Sequence, residues 1–202
     1  MEKTRIAVLV SGGGTNLEAL LEAEASGIIN SGSIKLVLSN NSDAYALVRA
    51  ARRGVETVCV LRRECASAEE FESRIIEELD SRGIELIVLA GFMSILSERF
   101  TTHYCDRIIN VHPSLIPAFC GKGFYGLKVH EAALAYGVKV SGATVHFVNE
   151  IPDGGRIIMQ RAVEVMEGDT PETLQRRIME EAEWKILPLA AEEVSRKIAE
   201  NR

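Results

Sequence analysis

Arg5-Ile6-Ala7-Val8-Leu9-Val10-Ser11-Gly12-Gly13-Gly14-Thr15-Asn16 decides how the chain is read. A short, strand-like apolar run passes through three successive glycines directly into a helix-compatible pattern from Leu17 to Ala25. The same alternation continues downstream. Lys35–Leu38, Thr57–Val60, Leu86–Ala90 and Arg107–Val111 are strand-like, and between them Ala44–Arg53, Glu69–Ser81 and Glu98–Tyr104 carry helical spacing. Gly54 and Gly83 stand where helices should stop. Strands separated by crossover helices are the signature of a parallel sheet with right-handed connections.

The second half changes character. His112 to Gly126, with its Gly121-Lys122-Gly123-Phe124-Tyr125-Gly126 segment, reads as a long loop, and loops of that length are often functional. A helix is expected over Leu127–Tyr136. Val140–Val148 and Arg156–Val163 are strand-like, and the turn-rich stretch Asn149-Glu150-Ile151-Pro152-Asp153-Gly154-Gly155 makes them an antiparallel pair. The chain then closes on a helix over Thr170–Ile198, with Thr170 as N-cap, Pro171 at the first helical position and Pro188 expected to kink or divide it. The expected fold class is α/β. We expect one Rossmann-like domain over residues 1–202, with a mostly parallel sheet, a C-terminal antiparallel extension, and helices on both faces.

Composition narrows the function. A chain of 202 residues can bury a substantial single core, and 47% hydrophobic with 26% charged residues is ordinary for a globular protein. No apolar run approaches the ~18 residues of a membrane span. Met1-Glu2-Lys3-Thr4-Arg5 lacks the pattern of a signal peptide, so a soluble, cytoplasmic protein is expected. Cys59, Cys65, Cys105 and Cys120 show neither a Cys-x-x-Cys pair nor zinc spacing, which reads as reduced thiols and no metal. A formal net charge of −6 without a basic stripe argues against nucleic acid as a partner. An anionic small-molecule substrate would need local donors.

The glycine loop can supply them. Glycines let backbone N–H groups approach an anion, and a helix N-terminus adds favourable partial charge. A dinucleotide fingerprint would need a glycine where Leu17 stands and an acidic residue where Ser39-Asn40-Asn41 follows the second strand. A P-loop would need a lysine beside Thr15. A small phosphate monoester, held by backbone amides with the Thr15 hydroxyl and Asn16 amide, remains the best ligand; a ligand-free tight turn is the alternative.

Asn110-Val111-His112-Pro113-Ser114-Leu115-Ile116-Pro117 begins at the end of an apolar strand, where open α/β sheets place their ligands. Strand alternation puts Asn110 and His112 on one face, so an amide donor and an imidazole can share a developing oxyanion and a proton. Taken alone, His112 is equally readable as a hydrogen-bonded structural histidine. Asp153, in a glycine-flanked turn, reads first as a turn former. His146 reads as a core or sheet histidine outside the catalytic set.

Ser11-Gly-Gly-Gly-Thr-Asn16, Ala90-Gly-Phe-Met93, Asn110-Val-His-Pro-Ser-Leu-Ile-Pro117 and Asp153-Gly-Gly155 together resemble the phosphoribosylglycinamide formyltransferase family of folate-dependent formyltransferases, over nearly the whole chain. The resemblance implies transfer of a formyl group from 10-formyltetrahydrofolate to the amine of phosphoribosylglycinamide, in purine biosynthesis, with no metal. It implies a phosphate-binding half (1–100) and a formyl-folate and catalytic half (101–202). Asn110, His112 and Asp153 become the catalytic set, with Asp153 orienting His112 and raising its pKa above about 6.5. Gly14, Thr15, Asn16, Glu180 and Glu183 become substrate-binding residues, Glu183 for the ribose hydroxyls. Met93, Ser94, Ile95, Leu96, Asn110, Asn149, Glu150, Ile151, Pro152 and Asp153 would hold the folate. Two positions depart from the family, which commonly has basic residues where this chain has Ser94 and Ala68; Lys122 is the candidate substitute. Related transfer-RNA formyltransferases and formyl-folate hydrolases normally carry an extra domain that 202 residues leave no room for. The partners expected are small molecules, with no nucleic acid and no membrane, acting on a monomer or homodimer.

Overall fold

Ile6 to Val10 form an unbroken apolar run, and such a strand is stable only where both faces of its sheet are covered. In the computed structural model, which describes residues 2–202, this stretch is β1 (Thr4–Val10) and lies inside a seven-stranded sheet of order β3-β2-β1-β4-β5-β6-β7. Alternation along β1 divides two cores. Ile6, Val8 and Val10 pack with Leu17, Leu20 and Leu21 of α1 (Thr15–Ala25) and with Leu187, Ala190 and Val194 near the C-terminus. Ala7 and Leu9 face the other way, onto Phe71, Ile75 and Leu79 of α3 (Ala68–Asp80) and onto Phe100 and Tyr104. Each large side chain so buried contributes about 1.5–3 kcal/mol.

β2 (Gly32–Ser39), β3 (Glu56–Cys59), β4 (Leu86–Leu89) and β5 (Ile108–His112) all pair parallel. They are linked through α1, α2 (Tyr45–Arg52), α3 and the short α4 (Glu98–His103). Ser67 and Ser97 cap α3 and α4, each accepting from the backbone N–H three residues on. After the long loop and α5 (Leu127–Tyr136), β6 (Val140–Phe147) returns antiparallel to β5, and β7 (Ile157–Glu164) antiparallel to β6. The α/β fold with helices on both faces and an antiparallel C-terminal edge is as expected. No helix among the described residues is long and apolar enough to cross a membrane.

The C-terminal helix differs from expectation. It is divided, but one turn upstream of Pro188: α6 (Pro171–Ile178) passes through a π turn at Met179–Glu183 into α7 (Trp184–Glu200), and Pro188 sits inside α7. A proline inside a helix lacks its own N–H and crowds the carbonyl four residues back. The wide turn precedes that carbonyl and inserts the extra residue there.

Gly155 closes the β6–β7 turn where the backbones nearly touch, since a Cβ there would lie 1.7 Å from the Phe147 carbonyl oxygen. Gly155→Ala is therefore expected to cost about 2–4 kcal/mol and to lower the melting temperature by roughly 5–15 °C. A thermal scan showing wild-type stability would contradict this close approach.

Candidate active site

Asn110 and His112 project from the face of β5 that also carries Ile108, which Phe100 and Tyr104 cover. Further along the strand the covering changes from helix to loop: Phe119 and the turn around Asp153 lie against these side chains. Register then supplies neighbours from β6, because Asn110 pairs with His146 and His112 with Thr144. Residues opposite one another on adjacent strands share a face.

Two of these side chains and one backbone N–H converge on Asp153, a residue held at φ 56° in its turn. His112 Nδ1 lies 3.5 Å from Asp153 Oδ2, and His146 Nε2 lies 3.6 Å from Oδ1. The Gly121 N–H donates to Oδ2 at 2.8 Å. On the far side of His146, Nδ1 is 2.7 Å from the Phe147 carbonyl, so Nδ1 carries the proton and donates. Nε2 then accepts from Asn110 Nδ2 at 3.2 Å. This fixes which end of the Asn110 amide is the donor and leaves its second N–H free. His146 is thus a buried sheet histidine, as its sequence context suggested, and also the link between Asn110 and Asp153, which that context did not show. The missed signal was the pairing of β5 with β6.

His112 is buried, and Nε2 donates to the Phe119 carbonyl at 2.9 Å. Burial pushes its pKa below the ordinary histidine value, against the opposing pull of Asp153 and the Phe119 carbonyl. The expected net rise is therefore corrected: Asp153 does favour the imidazolium, but desolvation of a ring with 4% exposure outweighs it. Burial acts on Asp153 too, yet the Gly121 N–H bond and any proton placed on the neighbouring His112 ring hold its carboxyl below the usual range. His130 of α5 is fully buried with both ring nitrogens unpartnered, and burial and His112 push its pKa to about 4, so it stays neutral near neutral pH.

The glycine loop lies at the carboxyl end of β1. Gly14 adopts φ 74°, and a Cβ there would meet Ala46 at 2.6 Å; Gly12 and Gly13 have open space where side chains would stand. α1 begins directly after these glycines, so a helix N-terminus adjoins the open space, as an anion cradle requires. Asn16 Nδ2 donates to Glu183 Oε2 at 2.7 Å, while Asn16 Oδ1 is buried without a partner. The π turn brings Glu183 inward, and burial raises its pKa from 4.5 to about 6 although the Asn16 bond opposes this. The Thr15 hydroxyl contacts Met179 Sδ at 3.9 Å, and Glu180 is exposed. Arg49, not anticipated, donates to the Gly13 carbonyl at 2.9 Å and pairs with Glu18.

The segments expected to hold folate are surface loops. The Met93 N–H donates to Ser11 Oγ at 2.8 Å, tying the β4 loop to the glycine loop, and Ser94 Oγ accepts from Asn40 Nδ2. Met93, Ile95 and Ile151 expose large apolar surfaces, whereas the Leu96 side chain belongs to the core under α3. Asn149 Oδ1 accepts from the Ile151 N–H within the turn; Glu150 and Pro152 are exposed, as is Lys122. Among the described residues no cluster of three or more His, Cys, Asp or Glu is placed to hold a metal ion.

Residues 4–191 match the family model described as formyl transferase. The chain is 40% identical over 185 residues to phosphoribosylglycinamide formyltransferase of Haemophilus influenzae, covering 92% of this chain and 84% of that one. It is 42% identical over 193 residues to the trifunctional purine biosynthetic protein adenosine-3 of Gallus gallus, covering 96% of this chain but 18% of that much longer protein. The crystal structure of glycinamide ribonucleotide transformylase 1 from Symbiobacterium toebii superposes with a TM-score of 0.88 at 44% identity, covering 99% of this chain and 89% of that one.

Two titrations test this geometry. The His112 ring should titrate below ~6.5 by NMR, and Asp153→Asn should lower it further by removing the nearby charge. With a depressed folded value, the His112 contribution to stability is complete above about pH 6.5 and is lost as pH falls through the folded pKa. A wild-type titration above 6.5 would overturn the desolvation argument.

Glu183 has the opposite sign. Its raised value gives stability that is full below 4.5 and lost as pH rises through about 6, roughly 2 kcal/mol by pH 8. Glu183→Gln keeps an acceptor for Asn16, so it should stabilise the free protein by about 1–2 kcal/mol at pH 8 and hardly at pH 5. Urea unfolding at the two pH values is the check, and equal effects at both would refute it.

Proposed function

The chain belongs to the formyl transferase family, and on that premise we propose that it transfers a formyl group from 10-formyltetrahydrofolate to the amine of 5'-phosphoribosylglycinamide. The observation that carries this reading is the convergence of His112 and His146 on Asp153, with Asn110 joined to the cluster through His146, beside a glycine loop with open space over a helix N-terminus. The products are N-formyl phosphoribosylglycinamide and tetrahydrofolate, a step of purine biosynthesis. In this reading residues 1–100 chiefly bind the phosphate and 101–202 the folate and the reacting groups.

Folate is a flat, partly apolar ligand, and the exposed Met93, Ile95 and Ile151 side chains on two loops suit its ring. The bound formyl-folate supplies the one-carbon unit; the chain's residues orient it and handle charge and protons. The free N–H of Asn110 Nδ2 donates to the oxygen that gains charge when the substrate amine attacks the formyl carbon. As His112 exchanges its Phe119 bond for the reacting centre its own proton moves to Nδ1, beside Asp153, and Nε2 takes a proton from the attacking amine and gives it to the departing folate nitrogen as the new C–N bond forms and the old one breaks. Asp153 lowers the energy of the imidazolium formed on the way. His146 holds Asn110 with its donor end forward. Gly14, Thr15 and Asn16 bind the ribonucleotide phosphate, and Glu183, with the neighbouring Glu180, takes the ribose hydroxyls. With Ser94 bonded to Asn40 and Ala68 apolar, Lys122 remains the cation proposed for the folate tail.

Assaying formyl transfer with both purified substrates tests the reading, and the variants should separate its parts. Asp153→Asn should lower kcat by roughly 10²–10⁴-fold with little change in either KM. Gly14→Val and Glu183→Gln should instead raise the KM for the ribonucleotide far more than that for the folate. Absence of transfer by the wild type, or equal effects of Gly14→Val on both substrates, would sink the assignment.

A further inference from the structure

The sheet face that carries His112 continues in register across two more strands, because His112 pairs with Thr144 and Thr144 with Gln160. Thr144 is fully buried and its hydroxyl is fully used. It donates to the Ser114 carbonyl at 2.7 Å and accepts from the Ile116 N–H at 3.1 Å and from Gln160 Nε2 at 3.0 Å. One proton and two lone pairs are all that a hydroxyl has. Gln160 Nε2 also donates to the Ile116 carbonyl at 3.0 Å, so two side chains grip both sides of the same short stretch.

That stretch is the root of the loop that meets the reacting groups. Ser114, itself buried, turns its hydroxyl onto the Ala118 carbonyl at 2.6 Å. The next carbonyl, of Phe119, accepts from His112 Nε2, and two residues later the Gly121 N–H donates to Asp153. The backbone between Thr144 and these two contacts is short and bonded at each step.

We propose that Thr144, assisted by Gln160, is a positioning residue for His112 and Asp153. It holds Ser114 to Pro117 against β6 and so sets where the Phe119 carbonyl and the Gly121 N–H meet the imidazole and the carboxylate. Its kinetic consequence rests on the formyl-transfer reading; the positioning itself does not. Thr144→Val keeps the β-branched shape and removes the hydroxyl, leaving the Ser114 carbonyl and Ile116 N–H without it. Displacement of an aligned group by about 1 Å can cost 10²-fold.

The experiment compares Thr144→Val, Thr144→Ser and Gln160→Met for kcat, for both KM values and for the His112 titration by NMR. Thr144→Val should lower kcat by roughly 10–100-fold, move each KM by less than about 3-fold, and shift the His112 titration. Thr144→Ser, which restores the hydroxyl, should recover most of both. Gln160→Met leaves Thr144 in place and should cost roughly 3–10-fold in kcat. It also serves as the decisive variant if Thr144→Val does not fold, and wild-type kcat and titration in it would then overturn the proposal. Folded Thr144→Val with an unchanged titration, or Thr144→Ser as impaired as Thr144→Val, overturns it too. Because the titration needs no substrate, it still decides the positioning if formyl transfer is not the reaction.

Discussion

The register of β5 against β6 is the constraint on which the site depends. Asn110 opposite His146, and His112 opposite Thr144, place an amide, two imidazoles and an anchoring hydroxyl on one face of a three-stranded patch. A slip of one residue would turn β6 over and send His146 and Thr144 to the face where Val145 and Phe147 now pack with Ile109 and Val111. Burial of those four apolar side chains therefore holds the polar ones in place. Stability and site geometry share one alignment.

The same patch shows why the covering elements differ across the sheet. Over β1 and β4 the apolar positions on each face call for helices, and two cores form around them. Over β5 to β7 one face carries Asn110, His112, Thr144 and His146 instead, and polar groups that are buried need partners more than they need apolar contact. Backbone from the 113–126 loop and the 149–155 turn supplies carbonyls and N–H groups that a helix side would not. Buried groups are thus satisfied by backbone from loop and turn.

Burial also sets the electrostatics in a way that single pairings do not. Asp153 lies close enough to His112 to favour its protonation, yet the ring is so far removed from water that neutrality wins. In the proposed transfer the neutral ring takes up a proton as the amine loses one, with the carboxylate already in place. Glu183 shows the same balance from the acid side, held near a pKa of about 6 inside the π turn. Neither value would be reached on the surface.

The parallel order, the antiparallel return after Tyr136 and the helices on both faces were legible along the chain, because aliphatic runs of strand length and glycine stops are local consequences of backbone sterics. The glycine loop and the Asn-x-His pair were legible for the same reason: both lie on a single strand or at its end. What only the tertiary structure decided lies between distant segments. Asp153 and Gly121 are 32 residues apart, Asn16 and Glu183 167 apart, and no periodicity encodes such meetings. The π turn replaced the expected break at Pro188 because the helix as a whole accommodates the proline. The depressed His112 pKa followed from how much protein surrounds the ring. Pair distances, register and desolvation are properties of packing, and a residue's own neighbours in sequence do not contain them.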